Sequence, residues 1–315
     1  MVPPLSFVYL VFDVITIFFI FVCILLSVFS LCLIFHFHLK TRNSCLLKDF
    51  GSLWAVRTLL VLFICLWALS ELLRLPFLRR YIFPLCPFFT QTHQANLCKV
   101  HIVLSLGFFE PGFLVTLLFI VAISVRKKTH DDTFATAVWL VLASCFPILL
   151  LQVFFVFFQS KEAKFHEFVH NDLPMGAAVL CAYPLLGTII FGIFGIVYVL
   201  SFLISCWRVV SLVINKRLRF RVYTLGIAVL FAVSMQVLLL GISESWQPND
   251  PIFEGLTFGM FLSVLACAVV AECILVIRPI ADALALEAGM SSRLDSSSRF
   301  HRGVDVHVNT SSQLG

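Results

Sequence analysis

Charge is scarce in this sequence: only 12% of its 315 residues are Asp, Glu, Lys or Arg, where a soluble domain carries about 25%. A water-facing exterior cannot be made from that composition. Basic residues are absent as far as Lys40, so the first apolar stretch lacks the positive leader of a secretory signal. It is also too long for one and shows no clear small-residue cleavage site. No CxxC pair or zinc-ligand pattern occurs among the eleven cysteines. His166 and His170 have an i,i+4 spacing that could share a metal on a helix, but a third ligand is missing. No metal and no other cofactor is therefore expected. The seventh apolar stretch holds no Lys, which rules out retinal attachment there.

Apolar residues are what the chain has instead. They make up 61% of it, Phe occurs 35 times, and mean hydropathy is +1.04. A bilayer core of about 30 Å needs roughly 20 apolar residues per helix. Seven stretches qualify: Leu5 to Leu39, Ser52 to Leu75, Cys98 to Val125, Thr133 to Phe158, Met175 to Trp207, Val222 to Ser243 and Gly255 to Ile277. The expected fold is all-α, a seven-helix transmembrane bundle over residues 1–279, integral and multi-pass, with the lipid bilayer as its first partner. Residues 280–315 are Ser-rich and lack the apolar mass to fold alone, so a disordered tail is expected.

The loops carry a readable orientation. Fifteen Lys and Arg fall on one side: Lys40, Arg42, Lys48, Arg126, Lys127, Lys128, Arg208, Lys216, Arg217, Arg219, Arg221, Arg278, Arg293, Arg299 and Arg302. Five fall on the other: Arg79, Arg80, Lys99, Lys161 and Lys164. Positive residues are retained on the cytosolic side, so the N-terminus is expected outside or lumenal and the C-terminus in the cytosol. Topology and lipid head groups account for the net charge of +5 without a nucleic-acid partner.

Charged residues inside the spans hold the functional information, because each costs about 2.5 to 3.5 kcal/mol at the bilayer centre on insertion scales. Arg57 and Glu272 lie at similar depth near the cytosolic ends of the second and seventh spans, which predicts an ion pair between them. Two unpaired charges would cost roughly 6 kcal/mol, and attraction at about 4 Å returns roughly 4 at an effective dielectric of 20. The alternative is that Arg57 snorkels to the surface and Glu272 bonds a water. Glu110 is deeper, and Pro111 after it frees the carbonyl of Gly107, so a kink and a hydratable pocket are expected at this level. A proton site, a ligand anchor and a helix-to-helix hydrogen bond are the readings open to it. Glu71 and Arg74, three apart, can pair near the outer end of the second span.

Other signals concern packing and surfaces. Cys86 and Cys98 both face the oxidising side in this orientation, where they either join in a disulfide or stand as separate thiols. Gly255, Gly259, Ser263, Cys267 and Ala271 put a small-residue face along the seventh span, suited to internal packing or to a homo-oligomer. Lys216, Arg217, Arg219 and Arg221 read as part of a surface-lying extension of the fifth span that contacts anionic lipid, or as a contact for a cytosolic signalling protein such as a G-protein subunit.

Several stretches carry a resemblance. They are Arg74-Leu75-Pro76-Phe77-Leu78-Arg79-Arg80, Cys98-Lys99-Val100-His101-Ile102-Val103, Leu106-Gly107-Phe108-Phe109-Glu110-Pro111, Leu180-Cys181-Ala182-Tyr183-Pro184-Leu185-Leu186, and Val213-Ile214-Asn215-Lys216-Arg217 through Arg221-Val222-Tyr223-Thr224-Leu225. In these the chain resembles a plant family of uncharacterised seven-helix membrane proteins, some proposed as candidate G-protein-coupled receptors. The resemblance spans the second helix through the sixth and implies the fold without specifying a function. The chain departs from the major receptor class at each diagnostic place. Arg126-Lys127-Lys128 stands where Asp-Arg-Tyr would be, the seventh span lacks Asn-Pro-x-x-Tyr, and the loop from Gln159 to Pro174 has no Cys to bond Cys98.

Enzymatic activity is not expected, since His36, His38 and His130 have no matching acid and serine set. A receptor-like protein or signalling scaffold is the expectation. A small-solute or proton-coupled transporter or channel using Glu110 is the alternative, although no inverted repeat is evident.

Overall fold

A computed structural model describes residues 4–43, 53–75, 91–123, 133–158, 183–212, 216–246 and 251–285. Among them there is no strand, and seven helices are long and apolar enough to cross a membrane. Many of their residues are Phe, Val and Ile, which favour strands in water. In a bilayer the helix prevails because it satisfies every backbone polar group within one segment.

We number the helices in chain order. α1 is Pro4–Asn43 and α2 is Trp54–Arg74. α3 starts as Gln91–Leu104, passes through a π-helical turn at Ser105–Phe109 and continues as Glu110–Ile123. α4 is Thr133–Phe158, α5 Leu185–Leu212 and α6 Lys216–Ser243. α7 starts as Pro251–Ala271, passes through a second π turn at Glu272–Ile277, and runs on to residue 285. The bundle end where α1 begins, α2 ends and α3, α5 and α7 start is called the N-terminal face below, and the opposite end the C-terminal face.

Each helix packs on the next in sequence, and α7 closes the ring on α1. α3 also touches α5 and is 72% buried over its span, against 28% for α4. It is the central helix. The bundle is apolar outside as well as in its core: Trp139, Trp207, Ile196 and Phe220 point outward, while the polar side chains Ser27, Glu71, His101, Glu110, Gln236 and Glu272 are buried. That distribution, on seven apolar helices, is the construction of an integral multi-pass membrane protein.

Boundaries differ from the sequence expectation at three places. α5 begins at Leu185 rather than Met175, because Pro184 sits at its start, its carbonyl accepting from the Thr188 N–H at 3.1 Å. Proline suits that position, where a helix needs no donor. α6 begins at Lys216 rather than Val222, so the basic residues form its first turns and are not an extension of α5, which ends at Leu212. The first residues expected in the tail belong to α7, since Ile280 and Ala283, three apart, bury one apolar face. Residues 286–315 lie outside the described residues.

Both π turns end two residues before a proline. The Glu110 N–H donates to the Ser105 carbonyl ahead of Pro111, and the Arg278 N–H donates to the Cys273 carbonyl ahead of Pro279. A helical proline has no N–H and its ring clashes with the carbonyl four residues back. Widening the preceding turn by one residue relieves that conflict. The kink expected at Pro111 thus takes the form of a π turn.

The small-residue face of α7 is spent on its own bundle. A Cβ on Gly259 would lie 3.2 Å from Leu239 of α6, and Ser263, Cys267 and Ala271 are buried. Of the two uses open to this face, internal packing takes up Ser263, Cys267 and Ala271. Close approach is tightest at Gly112, where a Cβ would stand 2.5 Å from the Phe63 ring. Gly112→Ala is expected to cost about 1–3 kcal/mol through overpacking, whereas Gly255→Ala, with nothing within 4 Å, should be neutral. Thermal unfolding in detergent distinguishes the two.

Candidate functional site

Trp67, Glu71 and Arg74 recur at i, i+4 and i+7 of α2, a spacing that puts them on one face of a helix. Across from them stand Ser105 and Glu110 of α3, Gln236 of α6, Tyr183 just ahead of α5, and Met260, Phe261 and Val264 of α7. Together with neighbouring Leu side chains, all of these but Ser105 line a cavity of about 20 Å³. A water needs roughly 10–15 Å³, so the space holds little more than one. It reaches from the N-terminal face to Glu110, which lies at the midpoint of the Asn96–Ile123 span.

Glu110 is 5% exposed and is held by neutral donors on three helices. Ser105 Oγ donates to Oε1 at 2.9 Å, Trp67 Nε1 donates to Oε1 at 3.3 Å, and Gln236 Nε2 donates to Oε2. The π turn contributes to this geometry. One extra residue turns a helix face by about 100°, and it comes between Leu104 and Glu110, setting the carboxyl against Gln236 and Trp67. Trp67 is held in turn by stacking on Phe261 at 5.7 Å between centroids.

Nearer the N-terminal face, Arg74 Nε lies 3.3 Å from Glu71 Oε2, and His101 Nε2 lies 3.9 Å from Glu71 Oε1. Arg74 also donates to the Thr257 carbonyl of α7 at 3.2 Å and to the Tyr183 hydroxyl, with Glu254 in electrostatic reach. Burial pushes the Tyr183 phenol up to about 12, so it stays neutral. This one guanidinium ties α2 to α7 and to the start of α5.

The expected Arg57–Glu272 ion pair is not formed. Glu272 accepts from Ser27 Oγ at 2.8 Å and Ser30 Oγ at 3.4 Å, both on α1, and Arg57 Nε has no hydrogen-bond partner. Glu272 lies on the side of α7 that meets α1. Two hydroxyls there satisfy the carboxyl from the α1 side, and the buried Arg57 Nε is left without a hydrogen-bond partner.

The remaining sequence candidates are placed as follows. Cys98 is disulfide-bonded, and its expected partner Cys86 lies outside the described residues, as do His166 and His170. Among the described residues no group of three or more His, Cys, Asp or Glu could hold a metal. Lys216, Arg217 and Arg219 are exposed on α6, and Arg221 pairs with Asp282 of α7 at 2.7 Å. Sequence reasoning missed Trp67, Ser105, Gln236, Tyr183, Ser27 and Ser30 as partners. The available signals were Gln236, one of two amides inside the apolar spans with Gln152, and Ser27 with Ser30, three apart on α1.

Two outcomes follow from this geometry. Replacing Ser27 and Ser30 together by Ala should cost about 1–3 kcal/mol by stranding a buried carboxyl, and Arg57→Ala should cost less. Unfolding in detergent measures both, and the opposite order would restore the ion pair. Peptide mapping without reductant should find Cys98 joined to Cys86. A Cys98–Cys181 peptide would reassign the bond.

No curated protein and no solved structure matches this chain. A family model does match, over residues 2–292. A helical membrane protein with a polar cavity about Glu110, the chain belongs to the family described as Uncharacterised conserved protein UCP031277.

Proposed function

We propose that this protein is a receptor-like signalling protein, not an enzyme, whose ligand site is the polar cavity about Glu110. The cavity supports this reading because its lining comes from α2, α3, α6, α7 and the start of α5, so an occupant touches most of the bundle at once. The proposed orientation, from the loop charges, puts the N-terminal face outside or lumenal. A ligand then reaches Glu110 from that side.

With only about 20 Å³ free, the cavity is closed around water, and a ligand has to displace a side chain. Gln236 is the candidate, being the one Glu110 partner on α6. A ligand group that replaces its amide releases α6 from α3. The other end of α6 is joined to α7 by Arg221 and Asp282, so the release reaches the C-terminal face through that pair. A cytosolic partner such as a G-protein subunit is the proposed recipient.

Transport is the second reading. It is favoured by Glu272, a second buried carboxyl in the other half of the bundle, held by Ser27 and Ser30. Glu110→Ala and Gln236→Ala separate the two. Both should raise ligand-independent recruitment of a G-protein subunit about fivefold or more, the lower end of ordinary coupling free energies. Energy transfer between tagged proteins reads this out. Unchanged recruitment, together with proteoliposome flux that disappears in Glu110→Ala, would put transport first.

A further inference from the structure

The C-terminal face of α4, α5 and α6 carries outward-pointing aromatics at one depth. Trp207 is 75% exposed, Trp139 73% and Phe220 72%, with Tyr223 half exposed. Trp139 is six residues into α4, Trp207 five from the end of α5, and Phe220 and Tyr223 four and seven into α6. At about 1.5 Å per residue, all four lie roughly 6–10 Å from their helix ends. Amphipathic Trp and Tyr rings at a common level mark the boundary between acyl chains and head groups.

Cations share this surface. Arg208 follows Trp207 on α5, and Lys216, Arg217 and Arg219 precede Phe220 on α6; all four are exposed. The two helices are neighbours joined by only three residues, 213–215, so these charges gather at one corner. Segments 133–143, 202–212 and 216–226 contain no Asp or Glu. The Arg221 guanidinium is engaged by Asp282 at 2.7 Å. The Arg219 guanidinium lies 6.0 Å from the Tyr223 ring centroid, which keeps it against the outward surface.

We infer that the α5–α6 corner, with Arg208, Lys216, Arg217 and Arg219 over Trp207 and Phe220, is a binding site for the head group of an anionic phospholipid. The phosphate and the second anionic group of such a lipid match a cluster of four cations, and its acyl chains match the aromatic level beneath. A soluble acidic peptide satisfies only the upper half, because Phe220 and Trp207 would face acyl chains with or without it. Each basic residue near an anionic surface contributes roughly a fivefold preference, so four give selectivity over a zwitterionic lipid that a single residue would not.

Tryptophan quenching tests this on the full chain in phosphatidylcholine vesicles. A minor fraction of brominated phosphatidylserine should quench severalfold more than the same fraction of brominated phosphatidylcholine. The excess should fall in high salt, shrink in Trp207→Phe, and vanish when Arg208, Lys216, Arg217 and Arg219 are all changed to Gln. It should persist in Arg221→Gln. Unchanged quenching by brominated phosphatidylcholine shows that the quadruple variant is still inserted. Equal quenching by the two lipids in the unaltered protein, or an excess that survives the quadruple change, would overturn the site. So would an acidic peptide that binds through the same four residues in detergent while the anionic-lipid excess is absent.

Discussion

A carboxyl at the middle of a bilayer has no bulk water to solvate it, and the rest of this bundle is arranged around that fact. Glu110 must find its partners among side chains, and it finds Trp67 on α2, Ser105 on its own helix and Gln236 on α6. Three neutral donors converging from different helices specify how α2, α3 and α6 sit relative to one another more narrowly than apolar contact could, because leucines slide past one another and hydrogen bonds do not. The central place of α3 follows. A helix that carries a buried acid and is 72% enclosed needs neighbours on every side.

The prolines after the two π turns extend the same logic. Pro111 and Pro279 each force the preceding turn to widen, and each widened turn abuts or contains a buried acid, Glu110 in one case and Glu272 in the other. Widening a turn rotates all that follows, so at Glu110, which comes after its π turn, the backbone defect aims the side chain, whereas Glu272 opens its π turn and is not turned by it. π turns recur at functional sites.

The buried charges are handled in different ways. Glu71 is paired with Arg74 within one helix turn, Glu272 accepts hydrogen bonds from two serine hydroxyls of α1, and Glu110 accepts them from neutral donors alone. Only the first is an ion pair. The Glu71–Arg74 pair forms within one helix, but Arg74 also holds the Thr257 carbonyl of α7 and His101 of α3 lies 3.9 Å from Glu71. Glu110 and Glu272 depend on Gln236 of α6 and Ser27 of α1, so motion between helices bears on all three acids.

Seven helices, their order and the membrane setting were legible because they rest on local quantities: apolar run length and the spacing of polar breaks. The Glu71–Arg74 pair was legible for the same reason, being three residues apart. The start of α5 at Leu185 and the extension of α7 past Ile280 were blurred, since apolar residues continue across both boundaries. The sequence places Glu272 and Arg57 at one depth, and depth is all it can give; which way each faces around its helix is set by packing, which turns Glu272 toward α1. By itself, then, the sequence determined that the chain is an all-helical membrane bundle with a lone acid in its central helix. Only the tertiary structure decided that Gln236, Trp67 and Ser105 hold that acid and that serines, rather than an arginine, hold Glu272. Hydrogen bonds between helices depend on rotation about each helix axis, and rotation is settled only when all seven pack together.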